Sequence, residues 1–148
     1  MDFEIRRLRK GDERIALQSV RELMAEDERD GREPSIQHLE RFLKRDTNYL
    51  ILAIREKHPI GFLTAYRMPD LSCDASMVYL FEIEVALPFR RQGIGKRMIQ
   101  LLKQHCREDG VEDIWVGTEN DNIAAKRLYE STGGKLSYPD SCEYHYAL

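Results

Sequence analysis

The chain has 148 residues, 42% of them hydrophobic and 33% charged, which is the length and composition of one compact globular domain. Its 23 Lys and Arg residues stand against 26 Asp and Glu residues, a formal net charge of −3. This balance argues against nucleic acid or an anionic membrane as a partner and favours a cationic one. The cysteines lack the spacing of a metal site or a CxxC pair and predict free thiols without a bound metal; they are Cys73, Cys106 and Cys142.

The sequence predicts a cytoplasmic protein with a single domain over residues 1–148. Acidic residues occupy the start of the chain, where a secretory signal has basic and then apolar residues. The longest apolar run, Tyr49–Ile54, is far shorter than the ~20 residues of a membrane-spanning helix. No internal repeat or low-complexity linker marks a domain boundary.

The first third of the chain predicts one strand and two helices. Residues 2–8 alternate between polar and apolar side chains, as in a half-buried strand, and residues 11–24 repeat their apolar positions at a helical period. The acidic residues 26–31 predict a loop. Pro34 then begins a second helix, whose apolar stripe consists of Ile36, Leu39, Phe42 and Leu43.

Three strands follow, at Tyr49–Arg55, Ile60–Met68 and Ser76–Leu87, and the first two form a hairpin. Regular alternation gives the third strand two different faces. One is apolar and consists of Tyr79, Phe81, Ile83 and Val85. The other becomes acidic towards the end of the strand and consists of Val78, Leu80, Glu82 and Glu84.

The last third predicts a helix that ends near Gly110, a strand at Val111–Thr118, a helix from about residue 120 to Gly134, and one or two strands in residues 135–148. The apolar stripe of the first of these helices is Ile94, Met98, Leu101, Leu102 and His105. The order β-α-α-β-β-β-α-β-α-β predicts an α/β protein with a mixed sheet and one right-handed β-α-β crossover over residues 76–118.

A glycine-containing loop joins the third strand to its helix in the pattern Arg90-x-x-Gly93-x-Gly95. Glycines at this place allow backbone N–H groups to converge on an anion at the positive end of the helix dipole. The spacing fits neither a dinucleotide-binding GxGxxG fingerprint, which needs glycine at Met98, nor a P-loop. An ordinary strand-to-helix turn is the alternative interpretation.

Two linked motifs carry a family resemblance. Residues 90–95, Arg-Arg-Gln-Gly-Ile-Gly, resemble the acetyl-CoA motif of the GNAT N-acetyltransferases, and Asn122-x-x-Ala125-x-x-Leu128-Tyr129-x-x-x-Gly133 resembles the segment that follows it. The resemblance implies a mixed, mostly antiparallel central sheet with flanking helices, and a bulge and splay at the acetyl-CoA strand. It also implies acetyl-CoA as cosubstrate and direct acetyl transfer without a metal.

The resemblance further implies which residues bind the coenzyme. The loop amides that would hold the pyrophosphate belong to Gln92, Gly93, Ile94, Gly95 and Lys96, with Arg90 or Arg91 nearby. Backbone contacts to the pantetheine arm would come from Ile83, Val85 and a bulge-like Ala86-Leu87-Pro88, and the second motif would add Asn122, Ala125 and Tyr129.

Acetylation of an amine needs a base for the ammonium and benefits from an acid for the departing thiolate. Glu82 and Glu84 are candidate bases, directly or through water, and the resemblance favours Glu82. Tyr129 occupies the family's acid position, and a backbone N–H near Val85 would stabilise the oxyanion. The alternatives are ordinary solvent-facing acids and a core aromatic residue.

The acceptor is predicted to be a cationic small-molecule or peptide amine, because acids that are plentiful in the loops would attract positive charge if they line the acceptor cleft; ordinary solvated loop acids are the alternative. Ala65-Tyr66-x-x-Pro69, residues 79–85 and residues 90–94 together resemble GNAT-type aminoglycoside 3-N-acetyltransferases. Alternatives are a protein N-terminal or polyamine acetyltransferase, a non-catalytic acyl-CoA sensor, and a domain for another phosphate ligand. A homodimer is possible in this family.

Overall fold

The computed structural model describes residues 2–138 and 144–148. The chain forms two compact units, Met1–Gly117 and Thr118–Leu148. The helices and strands of the first unit are β1 (Glu4–Arg7), α1 (Glu13–Leu23), α2 (Ile36–Lys44), β2 (Asn48–Arg55), β3 (His58–Pro69), β4 (Ser76–Val85), α3 (Ile94–Glu108) and β5 (Asp113–Val116). The second unit contains α4 (Ile123–Ser131).

Five strands form one sheet in the order β1-β2-β3-β4-β5. The first three pairings are antiparallel and β4 pairs with β5 in parallel, through the connection that contains α3. The mixed, mostly antiparallel sheet predicted from the sequence is confirmed. The second helix begins later than predicted, after Ser35 rather than at Pro34, because the Ser35 hydroxyl accepts the N–H of His38 and caps the helix.

Helices cover both faces of the sheet. On one face, α1 and α2 pack over a cluster of apolar side chains that includes Ala16, Leu39, Leu43, Leu50, Leu52 and Phe62. On the other face lies α3, whose buried residues are Ile94, Met98, Ile99, Leu102 and Cys106. Gly61 of β3 allows this close approach, because a Cβ there would lie 3.1 Å from the Glu84 carbonyl oxygen and 3.4 Å from the Met98 methyl group. A central strand between two helical layers is apolar on both faces, which explains the continuous run in β2.

The predicted strands of the tail are not found in its described part. Residues 135–138 and 144–148 adopt no regular structure, and their large apolar side chains are exposed rather than buried against a sheet. Residues 139–143, which include Cys142, lie outside the described residues. Alternation of apolar residues alone was therefore insufficient to predict a strand here. No helix in the described part of the chain is long and apolar enough to span a bilayer.

A charged network joins β1, β2 and β3 to the end of α3. The buried Arg7 guanidinium donates to the carbonyl oxygens of Asp46 (2.8 Å) and Asn48 (3.0 Å) and lies 4.1 Å from the centre of the Tyr49 ring. The Tyr49 hydroxyl donates to Asp109 at 2.6 Å. Burial raises the pKa of Tyr49 strongly, and the bond to Asp109 raises it further, so this hydroxyl keeps its proton.

We expect Arg7→Ala to lower the free energy of unfolding by about 3 kcal/mol, because it leaves two carbonyl groups and part of the Asp109 carboxylate without their donor. Urea denaturation measures the change. Arg9→Ala is the matched control, since Arg9 is exposed and only two residues away, and its effect should stay within about 0.5 kcal/mol. An equal decrease in the free energy of unfolding in both variants would contradict a stabilising role for the network.

Candidate active site

The β4 strand contains a β-bulge in the middle of its pairing with β3. Thr64 of β3 lies opposite Glu82, but the next residue, Ala65, lies opposite Leu80, so Phe81 has no partner of its own. Leu80 is buried, whereas the Phe81 ring contacts the rings of Tyr66 and Tyr79. A bulge of this kind turns two successive side chains to the same face, here Phe81 and Glu82.

The bulge corrects the predicted faces of this strand. Regular alternation would place Glu82 and Glu84 beside Leu80, but their partners, Thr64 and Phe62, lie on the face that α1 and α2 cover. The α3 face of β4 consists instead of Val78, Leu80, Ile83 and Val85. The predicted bulge-like feature at residues 86–88 is a 3₁₀ turn at Leu87–Phe89, because the ladder ends there and Pro88 has no N–H to continue it.

Beyond the bulge, β4 parts from β5. Their pairing ends at Leu80 opposite Val116, whereas β4 continues to Val85. The Ala86 N–H donates to the Ile60 carbonyl oxygen at 2.9 Å, on the β3 side. Backbone groups alternate in direction along a strand, so those of Ile83 and Val85 point to the edge that β5 leaves open. This edge offers donors and acceptors to an extended ligand.

Glu82 lies half-buried beside that edge and is partly shielded from water. Its Oε2 lies 3.4 Å from the hydroxyl of the buried Thr64. Burial raises the pKa of Glu82 above its usual 4.5; the Thr64 hydrogen bond opposes the shift, and the negative charge of Glu28 adds to it. Burial also raises the pKa of Tyr66, with a further contribution from the Glu82 charge. A carboxylate with a raised pKa is suited to accept a proton near neutral pH.

Glu84, the other candidate base, is bound to a cation of the following loop. The Arg90 guanidinium forms an ion pair with the Glu84 carboxylate and also donates to the Val85 carbonyl oxygen at 2.8 Å. Two contacts fix the guanidinium against the end of β4. The arrangement makes Glu84 and Arg90 an anchor for the loop.

The loop ends at the N-terminus of α3. Gly93 has φ +79°, a conformation that favours glycine, and its carbonyl oxygen accepts the first intrahelical bond, from the Arg97 N–H at 3.0 Å. The N–H groups of Ile94, Gly95 and Lys96 therefore have no acceptor within the helix. Among the described residues no side chain caps them. With the exposed Arg91, Gln92 and Lys96 beside them, they form a cradle for an anion.

The second unit holds the other predicted site residues. Asn122 caps α4, because its Oδ1 accepts the Ala125 N–H at 3.0 Å. This bond uses the oxygen of the amide, and the two N–H donors of the same group are separate from it. Tyr129 lies one turn beyond Ala125, and both side chains are half-buried. The cap is thus a structural role for Asn122 that the sequence analysis did not assign.

The described cysteines are free thiols, Cys73 exposed and Cys106 buried, as predicted. Burial raises the pKa of Cys106 to about 11, and the nearby Asp109 adds to the shift, so this thiol stays protonated and unreactive. In the described part of the chain no three His, Cys, Asp or Glu side chains are grouped as metal ligands.

Comparison with known proteins assigns the family. A model described as the acetyltransferase (GNAT) family matches residues 17–134. The chain therefore belongs to the GNAT family, and it contains a GNAT N-acetyltransferase domain, as the two sequence motifs indicated.

Three similar proteins illustrate the relationship. An aminoglycoside acetyltransferase from an uncultured soil metagenomic sample, in complex with sisomicin, is 25% identical with a TM-score of 0.86, and the match covers 99% of this chain and 96% of that one. AAC(6')-Iy, in complex with the bisubstrate analog CoA-S-monomethyl-acetylneamine, has a TM-score of 0.77 at 21% identity, with both chains covered in full. The ribosomal protein bS18-alanine N-acetyltransferase of Escherichia coli strain K12 is 32% identical over 73 residues, 49% of this chain and 48% of that protein.

The chain spans about half or less of the length of the curated relatives that it matches. The similarity to aminoglycoside acetyltransferases agrees with the second resemblance seen in the sequence. The designation AAC(6') differs from the 3-N class that the sequence motifs resembled.

The structure predicts that Thr64→Val raises the pKa of Glu82 further, because the variant removes the hydroxyl that stabilises the charged carboxylate. A side-chain carboxyl NMR titration measures this value in both proteins. Asp12 is the internal control and should titrate identically in both proteins, because its pKa depends on its own burial, on the Arg9 N–H and on the Arg6 guanidinium, none of which the variant changes. If the Glu82 titration did not move, the Thr64 hydroxyl would have no part in setting it.

Proposed function

We propose that this protein transfers an acetyl group from acetyl-CoA directly to a primary amine, with Glu82 as the base. The observation that carries the proposal is the half-buried Glu82, hydrogen-bonded to Thr64, next to the open edge of β4. The same strand leads into the anion cradle at the start of α3. A base and an anion-binding loop on one strand and its following turn are what the reaction needs.

The cradle fits the diphosphate of coenzyme A. The N–H groups of Gln92, Gly93, Ile94, Gly95 and Lys96 would hold its oxygens, at the positive end of the α3 dipole. Arg91 and Lys96 would add positive charge, whereas Arg90 would act through the loop, since Glu84 and Val85 already hold its guanidinium. Acetyl-CoA supplies the acetyl thioester. The outward backbone groups of Ile83 would bind a pantetheine amide, whereas the Val85 carbonyl oxygen already accepts the Arg90 guanidinium. The family resemblance assigns further coenzyme contacts to Asn122, Ala125 and Tyr129 of the second motif.

In the proposed reaction, Glu82 accepts a proton from the acceptor ammonium, directly or through one water molecule. The free amine then attacks the thioester carbonyl carbon, and the N–H of Val85 at the open edge stabilises the developing oxyanion. As the C–S bond breaks, Tyr129 donates its phenolic proton to the departing thiolate, and the remaining extra proton of the attacking nitrogen passes through water to the tyrosinate, which leaves an amide and the free thiol of coenzyme A. Glu84 is assigned to the loop anchor rather than to proton transfer, because its carboxylate pairs with Arg90.

An aminoglycoside is the acceptor that we propose first. The protein in the sisomicin complex matches nearly the whole chain, whereas the bS18-alanine acetyltransferase matches about half of it. The acidic Glu28 lies close enough to Glu82 to influence its charge, which favours an acceptor with more than one ammonium group. A protein N-terminus or a polyamine is the alternative acceptor.

Release of free coenzyme A from acetyl-CoA, measured with sisomicin, spermidine and a peptide with N-terminal alanine, tests the function. We expect turnover that Glu82→Gln lowers by about 10²- to 10⁴-fold without loss of acetyl-CoA binding. The wild-type kcat/KM should fall on the acid side as Glu82 is protonated, at a pH above 4.5, and this limb should be absent from the variant. Glu84→Gln is the matched control. We expect it to raise the KM for acetyl-CoA instead of lowering turnover as Glu82→Gln does.

Tyr129→Phe separates the enzyme from a sensor that only binds acyl-CoA. An enzyme would lose kcat in this variant and keep its affinity for acetyl-CoA. Wild-type protein that binds acetyl-CoA but releases no thiol with any of the three amines would contradict the proposed activity on them and favour the sensor.

A glycine pair tests the cradle. Gly93 and Gly110 both have positive φ, +79° and +71°, and no atom lies within 4 Å of a Cβ built on either. Alanine at each position should therefore lower stability by a similar amount, about 1 kcal/mol. Only Gly93→Ala should weaken acetyl-CoA binding, by about tenfold in calorimetry, because it alone tilts the N–H groups of the loop. Equal coenzyme affinity in the two variants would place the diphosphate elsewhere.

A further inference from the structure

Phe81 is an exposed phenylalanine of β4, at the point where the pairing with β5 ends. The side chain is 57% exposed, whereas those of Leu80 and Val78 on the same strand are buried. Phe81 forms an aromatic patch with Tyr66 and Tyr79 on one face of the sheet, and an exposed apolar patch with a carboxylate beside it is a candidate ligand surface. Alternation from the buried Leu80 puts Phe81 on the opposite face from α3, and the bulge leaves it without a partner on β3 and brings Glu82 to the same face.

The Phe81 ring is held in place by other aromatic rings. Its centroid lies 5.9 Å from that of Tyr66 and 6.4 Å from that of Tyr79, with interplanar angles of 61° and 59°. Tyr66 is fixed in turn by Phe42 of α2, at 6.1 Å and nearly perpendicular. Inclined pairs at these distances are favourable, and the side chain therefore loses little further freedom when a ligand binds.

Glu82 stands beside this ring on the same face of the sheet. The carboxylate is thus flanked by an apolar surface that also attracts cations, since the face of an aromatic ring carries partial negative charge. An ammonium group approaching Glu82 brings its adjacent carbon atoms over the Phe81 ring. A saturated ring that carries the amine covers the flat phenyl face better than a single flexible chain does, because more of its atoms make contact at once.

We propose that Phe81, supported by Tyr66 and Tyr79, is the platform on which the acceptor lies, and that it selects amines borne on saturated rings over linear amines. The inference rests on the proposed acetyltransferase function and adds to it a residue that sets acceptor specificity. Phe81 takes no part in proton transfer. Its contribution is to hold the amine-bearing ring so that the nitrogen faces Glu82.

Steady-state thiol release with sisomicin as the ring-borne amine and spermidine as the linear amine tests the platform. Phe81→Ala should raise the KM for sisomicin by about 3- to 30-fold, the range expected for loss of one cation–π and stacking contact. Its effect on spermidine should be smaller, and the KM for acetyl-CoA should not change. Phe81→Tyr should restore the wild-type KM, whereas Phe81→Leu, which keeps bulk but has no ring, should not.

Met68→Ala is the matched control, since Met68 is a large apolar residue of the neighbouring strand β3 and is 42% exposed. It should leave both acceptor KM values unchanged. The platform is overturned if Phe81→Ala leaves the KM for sisomicin unchanged. It is also overturned if the variant raises the KM values for sisomicin and spermidine by the same factor.

Calorimetric titration of sisomicin and of acetyl-CoA into the wild type tests the acetyltransferase function and the Phe81 platform separately. If the protein binds acetyl-CoA and acetylates spermidine but does not bind sisomicin, the acetyltransferase function is supported and the selection of ring-borne amines is overturned. Absence of turnover with either amine, together with absence of binding of both, would overturn the proposed function and the platform together.

Discussion

The bulge at Phe81 is the local irregularity on which the arrangement of the candidate site depends. One extra residue in β4 brings Glu82 opposite Thr64 and onto the same face as Phe81, whose ring contacts Tyr66 and Tyr79. It also increases the local twist, and immediately before it the pairing of β4 with β5 ends. A regular strand would have placed the carboxylate over the α3 core, where burial without a partner is unfavourable. The acid, the aromatic surface and the open backbone edge thus share one structural origin.

The electrostatics of the site follow from where the carboxylates lie after the bulge. Glu82 keeps one hydroxyl donor and is otherwise shielded, so its pKa rises. Glu84, two residues further on, reaches a full cation in Arg90 and stabilises the loop instead. Two acids of the same type on one face therefore have different partners: Glu82 has a single hydroxyl donor, which only partly offsets its burial, whereas Glu84 forms an ion pair with Arg90.

Most of the fold could be predicted from the sequence because it depends on local signals. Helical periodicity, the apolar run of β2 and the glycine pattern at residues 93–95 gave the element order of the first unit, and two motifs gave the family. The resemblance implied a bulge on this strand, but its position could not be predicted, since Tyr79–Val85 alternates without a break and only the pairing with β3 reveals the extra residue. Thr64 and Tyr66 were missed as parts of the site for the same reason. The helical stripe of α3 was wrong in part, because Ile99 and Cys106 are buried more deeply than Leu101 and His105, and its phase depends on how the helix lies on the twisted sheet.

The position of the anion cradle also depends on the opposite end of α3. A helix of 15 residues is about 22 Å long, so a small rotation at its C-terminus would move the N–H groups of Gly95 and Lys96. The C-cap, Asp109, is an acid at the negative end of the helix dipole, which is unfavourable by itself. Tyr49, Arg7 and Arg67 surround it with a hydroxyl donor and two cations at 2.6, 3.9 and 3.4 Å. These contacts tie the end of α3 to three strands, while Met98 packs against Gly61 near its beginning. The charged network at one end and the glycine contact near the other therefore both hold α3 against the sheet, and with it the N–H groups of its first turn.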